Sequence, residues 1–354
     1  MVGLEELLEL LVQKGGSDLH VTAGSPPRIR VDGELKPTGH EVLTPEESQR
    51  LAYSILNNEQ VARFEKNLEL DLSFGISGLG RFRTNVFRQR GAVGTVMRII
   101  PYEVKSVKEL GLPQKLCEQL CSKPKGLILV TGATGSGKST TLAAFIEYIN
   151  NTRTEHVVTI EDAIEFVHHN KRCLFNQREV GTDTHSFAAA LRSVFREDPD
   201  IIMIGEMRDL ETIESALTLA ETGHLTFGTL HTNDCVQTIN RIIDVFPSHQ
   251  QQQIRTQVSF TLEAVFCQQL LPRLNGRGRI LCCEVMVANS AIRSLIRDDK
   301  THQIYSVIQT GAALGMKTMN QSLFELYRAN LISYEEALAR SFDPEDLKRM
   351  FQKA

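Results

Sequence analysis

No stretch of the 354-residue chain approaches the roughly 18 consecutive apolar residues of a membrane-spanning helix, so no transmembrane segment is expected. The first residues lack a basic cluster. Met1 to Leu11 is apolar and acidic, unlike a secretory signal, and reads as an amphipathic helix with Leu4, Leu7, Leu8 and Leu11 on one face. No two cysteines stand in Cys-x-x-Cys spacing. The seven present are scattered, with Cys117 and Cys121 on one helix face and Cys282 and Cys283 adjacent in a strand-like run. A zinc ribbon is therefore not expected, and plain thiols in a reducing cytoplasm are. There is no internal repeat and no low-complexity tract. Positive charge is not in excess either, and a net charge of −4 counts against a nucleic-acid surface dominating the fold. What remains, 42% hydrophobic and 23% charged, is the composition of an ordinary soluble protein of roughly two or three domains.

Against these absences one motif stands out. Gly132-Ala133-Thr134-Gly135-Ser136-Gly137-Lys138-Ser139 fits the phosphate-binding loop Gly-x4-Gly-Lys-Ser/Thr at every position. Gly126 to Thr131 before it reads as a buried strand, and Thr140 to Ile149 after it as a helix. In that setting glycines let backbone N–H groups converge on phosphate oxygens, and the helix dipole favours the negative charge. Lys138 would reach the β- and γ-phosphates and the Ser139 hydroxyl would ligate Mg²⁺. Residues 132–140 are thus the expected ATP site.

The pattern divides near residue 100. Residues 1–100 read as a small α+β domain. Arg28 to Val31 and Glu34 to Lys36 flank an Asp32-Gly33 turn, and Thr44-Pro45-Glu46-Glu47 is a capping box opening a helix through Ile55. Leu70 to Ile76, Arg81 to Arg90 and Val93 to Ile99 follow as strands. Residues 101–125 read as a linker beginning at Pro101, with a helix from Val107 to Cys121. Residues 126–354 alternate short apolar strands (His156 to Ile160, Asp200 to Ile204, Leu225 to Leu230) with helices (Ser186 to Phe195, Leu210 to Glu221), the signature of a parallel sheet. Beyond Ser248 the chain reads as mostly helical, with a hairpin signal at Leu274-Asn275-Gly276-Arg277-Gly278 and a capping box at Ser333 to Glu336.

Further candidates sit at strand ends, which converge on the ligand crevice of a parallel sheet. Ile201 to Ile204 leads into Gly205-Glu206. With glycine where many phosphate-loop proteins place a metal-binding aspartate, Glu206 suits orienting or deprotonating water; a solvated strand-end glutamate is the plainer alternative. Glu161-Asp162-Ala163-Ile164-Glu165 follows another strand and could hold Mg²⁺ waters or simply start a helix. His224 and His231 flank a third strand, and His231, at its C-terminal end, is the better placed to touch a γ-phosphate.

Glu161-Asp162-x-Ile164-Glu165, Glu197-Asp198-Pro199-Asp200, Gly205-Glu206-Met207-Arg208-Asp209, Thr222-Gly223-His224 and Thr229-Leu230-His231-Thr232 together resemble the signatures of the secretion ATPase superfamily. The resemblance runs along essentially the whole chain. Ala291-Ile292-Arg293-Ser294-Leu295-Ile296-Arg297 is similar to a motif of its pilus-retraction branch. Assembly ATPases of the superfamily usually carry an extra N-terminal domain and a four-cysteine metal insertion; neither is expected here. One departure is Ala163, where the family usually has proline.

The resemblance implies a PAS-like N-terminal α+β domain, a RecA-like α/β ATPase domain and a homohexameric ring, with ATP between the domains near a neighbouring subunit. By motif, Lys138 and Ser139 would bind phosphate and Mg²⁺, Glu161 would support the metal, Glu206 would be the general base and His231 a γ-phosphate contact. It implies a cytoplasmic motor, peripheral at the inner membrane on a pilus platform protein and without a nucleic-acid partner.

The family also supplies arginines from the N-terminal domain. Here no acidic residue lies between Asp71 and Glu103, while Arg81, Arg83, Arg88, Arg90 and Arg98 do. Arg81 and Arg83 alternate with Phe82, so they share a strand face. A solvated basic face or a nucleic-acid contact would also fit, but guanidinium forks at a subunit boundary suit phosphate charge best. The competing functions are an assembly or secretion ATPase, a nucleic-acid translocase and a non-hydrolysing ATP-gated binding module.

Overall fold

Alternation of apolar and polar residues builds the first unit, and continuous apolar runs build the second. The computed structural model describes residues 2–31, 33–100, 104–276 and 278–352. It separates into Met1–Glu103 with Glu165–Val167, and Val104–Ile164 with His168–Ala354.

In the first unit, β1 (Asp18–Val21), β2 (Arg28–Val31), β3 (Glu34–Pro37), β4 (Glu69–Ile76), β5 (Gly80–Gln89) and β6 (Ala92–Ile100) form an antiparallel sheet in the order β3-β2-β1-β6-β5-β4. The helix Leu4–Gln13 buries Leu4, Leu7, Leu8 and Leu11, as its spacing predicts, in one core with Leu19, Phe82 and Met97. Thr44 and Glu47 cap Pro45–Tyr53 reciprocally, and the helix stops short of the expected Ile55. An unforeseen helix, Asn58–Asn67, starts from a second reciprocal cap, Asn57 with Gln60. Val31 pairs with Glu34 across the predicted hairpin. Asp32 of its turn and the Pro101 linker start lie outside the described residues, as does Arg277 of the later hairpin.

The second unit contains β7 (Gly126–Thr131), β8 (His156–Glu161), β9 (Leu174–Glu179), β10 (Ile201–Ile204), β11 (Leu225–Leu230), β12 (Leu262–Pro272) and β13 (Arg279–Val287). Their order is β13-β12-β7-β11-β10-β8-β9, parallel except for the antiparallel β12–β13 edge. Every residue of β7, β10 and β11 is buried. Alternate side chains feed two cores: Leu127 and Leu129 join one, Ile128 and Val130 the other. A strand covered on both faces has no polar side to show, which is why these strands read as unbroken apolar runs. This is the α/β, RecA-like class expected, beside an α+β unit.

Three expectations are corrected. The helix expected over Val107–Cys121 spans only Gln114–Cys121, because Pro113 is its N-cap and Gly111 lies at φ +79°. The region beyond Ser248 is not mostly helical at first: after the helix Ser248–Thr261 come β12 and β13, paired over Ala264–Pro272 and Arg279–Val287. The hairpin signal read at residues 274–278 falls between these two strands; that β12 joins the sheet is set by its pairing with β7, a long-range contact that local periodicity cannot report. At Ser333 only half of the capping box forms; the Ser333 hydroxyl accepts from the Glu336 N–H. The edge strand β9, Leu-Phe-Asn-Gln-Arg-Glu, was too polar to read as a strand. All seven cysteines are free and buried, which makes them core thiols.

Candidate nucleotide site

Strand register assembles the site. Thr131 of β7 is level with Leu230 of β11, Gly228 of β11 with Ile204 of β10, and Ile204 with Ile160 of β8. The residues just beyond these points are Gly132, His231, Gly205-Glu206 and Glu161. Four neighbouring strands therefore deliver the expected groups to one sheet edge, at their C-terminal ends.

Beyond β7 the chain turns through Gly132 at φ +139°, where an added Cβ would lie 2.4 Å from the Gln268 carbonyl oxygen and 2.6 Å from Ser136 Oγ. Only glycine fits there, and the loop is thereby seated against β12. Ala133, Thr134 and Gly135 are exposed, Ser136 is buried, and Gly137 is the N-cap of the helix Lys138–Thr152. Ser139 and Thr140 lie half-buried in its first turn, which carries no acidic residue. The N–H groups that a helix's first turn directs outward and the helix dipole favour an anion. Lys138 Nζ donates to the carbonyls of Gly132 (2.8 Å) and Ala133 (3.1 Å), folding its charge over the loop.

Glu161 ends β8 buried. Its Oε1 accepts from Thr159 Oγ1 at 2.6 Å and Gln177 Nε2 at 3.2 Å. Gly205 lets β10 crowd it: a Cβ there would lie 3.1 Å from the Ile160 oxygen and 3.2 Å from Glu161 Cα. The next residue, Glu206, accepts from Arg208 through both oxygens, from Nε to Oε1 at 2.5 Å and from Nη2 to Oε2 at 2.7 Å. His231 Nε2 lies 3.0 Å from Oε1. Burial pushes the Glu206 carboxyl up, but the Arg208 hydrogen bond and the charges of His231, Arg208 and Lys138 outweigh it and hold the group below the usual carboxylate range. The site therefore presents an ionised carboxylate beside a cationic phosphate loop. His224 stands at the other end of β11, with Nδ1 3.0 Å from the Leu219 oxygen.

Arg81 and Arg83 lie in the first unit, on β5. Phe82 and Thr84 are buried between and beyond them, so the two arginines share the opposite face as expected. Of the other arginines, Arg88 pairs with Glu65 (2.8 Å) and Arg98 with Asp18 (2.7 Å) inside that unit. Two contributors escaped the sequence reading. Arg208 is in a quoted motif, yet only its fork on Glu206 gives it a part. Gln268 enters through its main chain, for which no sequence signal exists.

Residues 3–277 match the model of the family described as Type II/IV secretion system protein. The chain is 50% identical over 343 residues to the type IV pilus retractation ATPase PilT of Pseudomonas aeruginosa, covering 97% of this chain and 99% of that one. It is 48% identical over 321 residues to a twitching motility protein of Neisseria gonorrhoeae, covering 91% and 86%. Among solved structures, the pilus retraction motor PilT with bound ADP matches with TM-score 0.93 and 51% identity, covering 99% of this chain and 100% of that one. With a family model matched from residue 3 to residue 277 and likeness running the length of both chains, this protein belongs to the Type II/IV secretion system protein family.

Proposed function

We propose that this chain is the ATP-hydrolysing subunit of a hexameric motor that drives type IV pilus disassembly and retraction. The observation that carries the reading is the row of Gly132, His231, Glu206 and Glu161 at adjacent strand ends. The whole-length likeness to a retraction ATPase directs it to the pilus.

A nucleoside triphosphate fits this edge. Residues 132–140 would cradle the phosphates through main-chain N–H groups of the loop and the first helical turn, and Lys138 would balance the β- and γ-phosphates. A divalent ion fits too: the Ser139 hydroxyl would ligate Mg²⁺ directly and the buried Glu161 carboxylate through water. Bound there, the ion would offset charge on the bridging and γ-oxygens. Glu206 takes the proton of the attacking water as its oxygen bonds to the γ-phosphorus and the bond to the ADP oxygen breaks. His231 hydrogen-bonds the γ-phosphate. Arg81 and Arg83 act on the ATP of a neighbouring subunit, where the charge develops. No described helix is long and apolar enough to cross a membrane, and the motor works peripherally on an inner-membrane platform protein, without nucleic acid.

Deleting the gene should leave cells with surface pili that no longer retract. The wild-type gene should restore twitching, and a Glu206→Gln allele should not. Bald deletion cells would move the protein to pilus assembly and overturn the retraction reading.

A further inference from the structure

The mechanism above gives no role to Arg208, although it makes the closest contact with the proposed base. Its side chain is 71% exposed while that of Glu206 is only 19% exposed, so a largely solvated guanidinium closes a two-point fork on a sheltered carboxylate. An exposed pair of this kind adds little to stability, because solvent screens it and the arginine loses side-chain entropy. What a fork supplies is orientation: two parallel N–H···O bonds set the carboxylate plane, which the single contact to His231 cannot do. Oε2 keeps a second lone pair for a proton, whereas Oε1 also faces His231 Nε2.

The backbone carrying the fork is pinned on both sides. Met207, between the partners, is buried and its N–H donates to the Thr229 oxygen at 2.9 Å. Asp209 caps the following helix through the Thr212 N–H at 2.9 Å. The charged groups facing Glu206 come from three elements: Arg208 on its own loop, Lys138 on the phosphate-loop helix and His231 beyond β11. Asp162, beyond β8, adds its negative charge to the field at Arg208.

We propose that Arg208 is a positioning residue for hydrolysis, fixing the plane and charge of the Glu206 carboxylate so that it meets the attacking water. This rests on the reading of Glu206 as general base. A base must be ionised to work, so activity falls as pH drops through its pKa. Removing the Arg208 cation leaves burial less opposed, which moves that fall to higher pH.

The test is the pH profile of ATPase kcat and KM in the purified full-length assembly. In Arg208→Ala, kcat should fall on the order of tenfold, short of the 10²–10⁴-fold of losing a base, with KM for ATP within about twofold and the acid limb moved to higher pH. Arg208→Lys keeps a cation without the fork, so it should restore the acid limb but not kcat. Wild-type kcat and acid limb in Arg208→Ala would overturn the proposal. So would a lower kcat with an unmoved acid limb, or loss of binding of a fluorescent ADP analogue, since either marks a merely structural role. Glu206→Gln is measured alongside: if it turns over normally, the general-base reading itself fails, whereas an inactive Glu206→Gln beside an unaltered Arg208→Ala sinks only the role of Arg208.

Discussion

Lys138 and Glu206 differ in what their loss removes. Lys138 supplies the positive charge of the phosphate loop, held over the Gly132 and Ala133 carbonyls. Lys138→Ala should therefore weaken ATP binding and turnover together. Glu206→Gln leaves the loop intact and exchanges the carboxylate for an amide that takes no proton. It should bind ATP normally while turnover falls by roughly 10²–10⁴-fold. Equilibrium binding of a fluorescent ATP analogue beside steady-state phosphate release separates the two losses. Near-normal phosphate release from Glu206→Gln would remove Glu206 from the chemistry.

At the scale of elements, polar groups tie the helices around the sheet. Glu284 on β13 is buried and accepts from the Cys235 N–H at 2.8 Å and the Met319 N–H at 3.3 Å, each the first residue of a helix. One carboxylate thus satisfies orphan donors of two helices. Glu147, on the helix that follows the phosphate loop, binds the 168–171 segment through His168 Nδ1 (3.4 Å) and Lys171 Nζ. Burial pushes its carboxyl up, but hydrogen bonds from His168 and Lys171 and the Lys171 charge bring it down to about 2. A folded value below the ordinary 4.5 means that the stabilisation is present above that pH and is lost as pH falls from about 4.5 towards 2. Glu147→Gln should lower stability at neutral pH by about 1 kcal/mol, the solvated Lys171 limiting the gain. In urea titrations at successive pH values the gap from wild type should narrow on acidification below 4.5. A gap unchanged by pH would assign the loss to something other than this charge.

For the whole molecule, the open matter is where Arg81 and Arg83 act. If they serve a neighbour's ATP, then Arg81→Ala/Arg83→Ala and Glu206→Gln damage opposite sides of one shared site. Each mutant assembly should be nearly inactive alone. In mixed rings about a quarter of subunit boundaries would join two intact halves, so ATPase activity should partly return on mixing. Glu206→Gln mixed with Lys138→Ala is the control, since both lesions fall on one subunit's half of the site. Subunit exchange is followed by energy transfer between labelled subunits. Once exchange is seen, equal recovery in both mixtures, or none in either, would rule out action in trans.

What the sequence by itself determined is whatever short-range chemistry imposes. A strand, a Gly-rich turn and a helix in immediate succession fit the phosphate-loop pattern, so Gly132 to Ser139 could be proposed without tertiary information. The leucine spacing of Leu4–Gln13, the cap at Thr44 and the apolar runs of β7, β8, β10 and β11 are local in the same sense. Glu206 and His231 could be singled out as candidates because each stands just beyond the end of such a run. The tertiary structure alone decided that β12 lies beside β7 and that the Gln268 carbonyl leaves no room for a Cβ at Gly132, because strand pairing joins residues more than a hundred positions apart. It alone closed Arg208 on Glu206, since the pinned loop, not the two-residue spacing, aims one side chain at the other.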